Sequence, residues 1–138
     1  MKRWFSRFVL FAGLYDLILG IIFLLGSPLI SILLNYPLTI LSAALLQIIA
    51  AFLVGFGIAL ILTSRNLEHY LLIPVANIPA RLIAFIVVVY YVVIGLPITL
   101  LWLGIIEGTI GIVLALFILR IPDYSFRSVL TNPSTQPY

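Results

Sequence analysis

Apolar residues fill four long stretches of this chain, at 8–25, 39–62, 78–95 and 98–119, and polar residues collect mainly between them. Each stretch is close to the roughly 20 residues that carry a helix, rising 1.5 Å per residue, across a ~30 Å hydrocarbon core. The pattern predicts four membrane-spanning helices. Between the first two spans, residues 27–38 hold Pro28, Asn35 and Pro37 around apolar Leu29, Ile30, Ile32, Leu33 and Leu34, which predicts a short helix lying in the membrane interface and ended by Pro37. Residues 63–77 predict a return loop with Arg65, Asn66, Glu68 and His69, its apolar Leu71 to Val75 resting on the membrane. Span three begins at Ile78 or Pro79, because a first-turn proline loses no intrahelical hydrogen bond. Gly95-Leu96-Pro97 forms a tight turn, and the polar tail 120–138, with Pro122, Pro133 and Pro137, has no regular structure. The expected fold is all-α, a single-domain integral membrane four-helix bundle over residues 1–138.

Charge orients it. All seven basic residues, Lys2, Arg3, Arg7, Arg65, Arg81, Arg120 and Arg127, fall on one side of this four-span arrangement, and the opposite loops carry no charge. Basic residues near span ends stay inside, so both termini are expected in the cytoplasm of a multi-pass cell-membrane protein. Composition agrees: 64% hydrophobic, 8% charged, mean hydropathy +1.34. The net charge of +3 is scattered over helix ends and forms no nucleic-acid-binding face, so the basic residues read as topology signals and anchors for membrane lipids. With no cysteine, disulfide, thiol-redox and thiolate-metal chemistry are excluded. The Met-Lys-Arg start before an apolar run resembles a signal peptide, but Asp16 interrupts the run and no small-x-small cleavage pattern follows; a retained first span is expected.

Inside the spans the chemistry reduces to a few side chains. Asp16 lies nine residues beyond Arg7, roughly 14 Å into the membrane, and Glu107 is also near mid-depth. A charge at a helix centre costs about 2.5–3.5 kcal/mol to insert, so each carboxylate needs a cation, water or a proton. Arg81 is the available cation, since residues 81–96 are too few to cross the core and span three must begin before it. Gln47, Tyr15, Tyr90 and Tyr91 are expected to complete a buried polar or ligand site with Asp16, Arg81 and Glu107. Three roles stay open for it: a clamp fixing helix register, a ligand site, or a path for protons. The tyrosines are expected to pack rather than to take part in redox chemistry.

Small residues mark the expected helix contacts. Ala43, Gln47, Ala51 and Gly55 stack along one face of span two, Gly104 and Gly108 recur in span four with Gly111 nearby, and Gly13 and Gly20 flank Asp16. Packing within the bundle is expected over dimerisation. His69 is the only histidine and lies in a loop, so a bis-histidine haem cannot form within the chain and a hydrolase triad has no plausible assembly, and neither acid belongs to a Glu-x-x-His metal motif. No catalytic residue, cofactor or metal site is expected.

Tyr15-Asp16-Leu17 with Gly20, Gly55-Phe56-Gly57 closing span two, the Arg65 to His69 turn, Arg81 and Glu107 together resemble the DoxX-like group of small four-helix membrane proteins over nearly the whole chain. The departures are Asp16, where relatives often carry a neutral amide, and Arg81, where Lys is frequent. The resemblance implies an accessory or assembly subunit of a quinone-linked respiratory complex, without its own redox centre, joined to a larger membrane complex or to further copies of itself. A quinone or lipid ligand is compatible with it. The alternative is a small proton-coupled transporter or ligand-binding bundle using Asp16 and Glu107. A lipid- or quinone-acting enzyme fits least, for want of a catalytic constellation.

Overall fold

The computed structural model describes residues 2–26, 30–32, 37, 39–67 and 70–120, whose regular structure is entirely helical. Four helices follow in order: α1 (Lys2–Leu25), α2 (Ile40–Arg65), α3 (Leu72–Val93) and α4 (Leu100–Leu119). Each is long and apolar enough to cross a membrane, so the chain is an all-α, multi-pass membrane protein.

Local chemistry sets several boundaries. Thr39 caps α2, its hydroxyl oxygen accepting from the Ser42 amide at 3.2 Å while the Ser42 hydroxyl donates back to the Thr39 carbonyl at 2.9 Å. At the end of α3 the Leu96 amide donates to the Tyr91 carbonyl and the Gly95 amide to the Val92 carbonyl. That is a Schellman closure, and it needs a left-handed residue; Gly95 supplies it at φ 121°. Pro97 then prevents continuation.

The start of α3 differs from expectation. The helix begins at Leu72, so the segment expected to lie on the membrane forms its first turn, and Leu71 and Val75 are 0% and 3% exposed. Pro74 falls where a helix amide has no intrahelical partner, whereas Pro79 lies in the helix interior. The earlier start carries Arg81 deeper than a helix from Ile78 would. Of the interfacial segment, residues 30–32 are helical, Ile30 is buried and its amide donates to the Gly26 carbonyl at 2.8 Å. Pro37 is exposed and in no helix, and residues 27–29, 33–36 and 38, Glu68, His69 and the tail from 121 lie outside the described residues.

The helices pack as two antiparallel hairpins, α1 with α2 and α3 with α4. Gly13 and Gly57 face each other so closely that a Cβ on either would come within 2.8 Å of the other's carbonyl oxygen, and a Cβ on Gly20 would meet Val54 and the Ala50 carbonyl. In the second hairpin Gly104 lies against Val88 and Gly108 against Phe85. The hairpins meet mainly in the half that holds the start of α1 and the end of α4. There Phe5, Val9, Leu60, Leu71, Leu114 and Ile118 are buried together, and Phe117 stacks on Phe5 with ring centroids 5.5 Å apart. The Ser6 hydroxyl ties the start of α1 to the end of α2, donating to the Ser64 carbonyl at 2.6 Å.

Candidate functional site

Above this core, three helices each contribute one ionisable side chain to a single cluster: Asp16 from α1, Arg81 from α3 and Glu107 from α4. Arg81 Nη2 lies 2.7 Å from both Oδ1 and Oδ2 of Asp16, Nη1 donates to Glu107 Oε2 at 2.5 Å, and Nε donates to Asn77 Oδ1 at 2.5 Å. Every guanidinium nitrogen is engaged. A planar fork with fixed donors can hold three partners in three directions at once, which a lysine ammonium does less well. Asp16 and Arg81 are 1% and 3% exposed, and the Glu107 side chain is 15% exposed.

The local sequence makes this approach possible. Asn77 sits four residues before Arg81, one helical turn away on the same face. Gly111 gives the Arg81 stem its room, since a Cβ there would lie 3.2 Å from the Arg81 Cβ. The Tyr15 hydroxyl is buried beside the cluster, with Glu107, Arg81 and Asp16 as its charged neighbours. Asn77 was not among the expected site residues; its spacing from Arg81 was the available signal.

The other expected members lie elsewhere. Gln47 is exposed on the outer surface of α2, and Tyr90 and Tyr91 are 59% and 47% exposed, their rings packed edge to face with centroids 5.4 Å apart. For Tyr90 the reason is arithmetic: nine residues after Arg81, at about 100° per residue, it points to the opposite side of α3. For α2, the face that meets α1 passes through Ala50, Val54, Gly57 and Ile61. The stripe through Gln47, Ala51 and Gly55 is therefore turned outward, whereas Gly13, Gly20, Gly104 and Gly108, expected with it at helix contacts, lie close against another helix, as do Gly57 and Gly111. Ala43 is half-buried.

Chemically, the cluster sets two carboxylates against one guanidinium, a formal charge of −1 when both acids are ionised. The guanidinium occupies the space between the acids where a metal ion would have to sit, and among the described residues no three acidic or histidine side chains gather. No family model, no curated protein and no solved structure matches the chain.

Proposed function

We propose that this protein is an accessory or assembly subunit of a larger membrane complex, without a redox centre of its own, lying in the cell membrane with both termini cytoplasmic. The observation that carries this reading is the closed cluster: each Arg81 nitrogen and both Asp16 oxygens are committed to one another or to Asn77 and Glu107. Such an arrangement suits a clamp that holds α1, α3 and α4 in register better than a site awaiting substrate. Outward, the helices offer wide apolar surfaces, most of all α2, of whose span only 17% is buried. Lipid or partner helices cover such surfaces. The DoxX-like resemblance makes a quinone-linked respiratory complex the partner of choice.

Gentle native extraction is expected to bring the chain out with a larger redox complex, while the isolated chain shows no haem, flavin or metal absorption. Recovery of the chain alone from native membranes would reject this reading. Orientation has its own test: reporter fusions at residues 30, 68, 97 and 138 should place the second and fourth inside and the other two outside. An external reporter at 68 would reverse the topology.

A second reading, a small proton-coupled transporter or ligand-binding bundle, is favoured by the surplus acid. Asp16 and Glu107 share one cation, so one carboxyl is left to exchange a proton. Purified chain in liposomes would then move a substrate in a pH-dependent way, and Asp16→Asn or Glu107→Gln would abolish transport.

A further inference from the structure

We infer that the outward face of α2, through Gln47, Ala51, Gly55 and Ala59, is the interface by which two copies of this chain pair in the membrane. Of the helix glycines described, Gly13, Gly20, Gly57, Gly104, Gly108 and Gly111 all lie where an added Cβ would come within 3.2 Å of another helix. Gly55 alone does not; a Cβ there meets nothing within 4 Å. Ala51, Gly55 and Ala59 instead floor an apolar groove of about 450 Å³, with Ile48, Phe52 and Phe56 as its wall. Small residues four apart let two helix backbones approach closely, and the phenylalanine ridge of one copy fits beside the floor of the other.

Gln47, one turn before Ala51, is exposed and makes no hydrogen bond among the described residues. It lies roughly 10 Å into α2 from Ile40 and roughly 27 Å from Arg65, inside a ~30 Å core. At that depth an amide facing hydrocarbon is as short of water as one buried in protein, and lipid tails cannot bond it. A second copy can. The basic residues outside the ion cluster, Lys2, Arg3, Arg7, Arg65, Arg120 and Arg127, all belong to one side of the four-span arrangement and insert every copy the same way up, so two α2 helices meet in parallel with their Gln47 residues at equal depth. A carboxamide both donates and accepts, so the pair satisfies itself across a two-fold axis.

The chain has no cysteine, which permits a direct test. Gln47→Cys, Ala51→Cys and Gly55→Cys, oxidised in native membranes, are expected to give a disulfide-linked species of twice the 15.3 kDa chain mass. Ile83→Cys, 60% exposed on the outer surface of α3, is expected to give none. Gly55→Leu, which the protomer can accommodate, is expected to convert the detergent-extracted dimer to monomer with unchanged helix content. Gln47→Leu should weaken dimerisation about threefold to tenfold, the worth of one interhelical hydrogen bond. Absence of cross-linking at all three α2 positions, equal cross-linking at Ile83, or a dimer that survives Gly55→Leu would overturn the proposal. So would cross-linked species of another mass, which would assign the face to a different protein. None of these outcomes depends on the accessory-subunit reading, which native co-purification tests separately.

Discussion

Arg81→Ala is expected to cost more stability than any other single substitution in the ion cluster. It removes the bonds that Arg81 gives to both Asp16 oxygens, to Glu107 and to Asn77, and does so where water cannot easily replace them. Breaking a buried ion pair from one side typically costs about 3–5 kcal/mol, and here one residue serves two acids. Arg81→Lys should fall between wild type and Arg81→Ala, because one ammonium retains the charge but not the three-way geometry. The acids are expected to differ. Both amide substitutions are nearly isosteric, but Asp16→Asn disturbs both oxygens held by Arg81, whereas Glu107→Gln removes the surplus negative charge and leaves the Asp16–Arg81 pair neutral, so its loss should be clearly smaller. Thermal unfolding in one detergent, with the Asp16→Ala, Arg81→Ala and double-mutant cycle, measures this directly. Additive effects, or equal melting of Arg81→Ala and wild type, would show that the pair does not hold the helices together.

The second large effect is expected at the closest helix contact. In Gly57→Leu the new Cβ would fall 2.7 Å from the Leu17 amide nitrogen and 2.8 Å from the Gly13 carbonyl oxygen, and both are backbone atoms that cannot swing aside. α1 and α2 would have to separate along their length. Overpacking a tight core costs about 1–3 kcal/mol when side chains can adjust, and a backbone clash sits at or above the upper end. Loss of the folded, monodisperse protein is therefore expected for Gly57→Leu, while Gly55→Leu, two residues away on the open face, should retain the fold. Size-exclusion profiles and helix content of the two variants in parallel provide the check. Equal behaviour would mean that α2 is rotated about its axis relative to the packing described here.

That contrast also marks how far the primary sequence could be read. Asp16 and Glu107 were legible near mid-depth by counting residues at 1.5 Å each, and Arg81 as their cation because span three must begin before it and a charge in hydrocarbon needs a partner. Tyr90 could have been set aside by the same count, since nine residues turn it away from Arg81. Asn77 could have been added by its one-turn spacing. Gln47 and the stripe beneath it could not have been placed, because span two carries small residues on two faces, Ala51 and Gly55 on one, Ala50 and Gly57 on the other.

The sequence by itself determined that four helices are long and apolar enough to cross a membrane and how many residues each can give to the crossing. Those properties depend on composition and length, which the hydrocarbon core imposes on every span. Only the tertiary structure decided which face of each helix points inward, where α3 begins, and that one guanidinium serves α1, α3 and α4 together. A soluble helix announces its inner face by the contrast between apolar and polar sides. A helix in lipid is apolar all round, so that contrast is missing; close contacts at Gly13, Gly57 and Gly104 and the ion cluster at Arg81 select the packing.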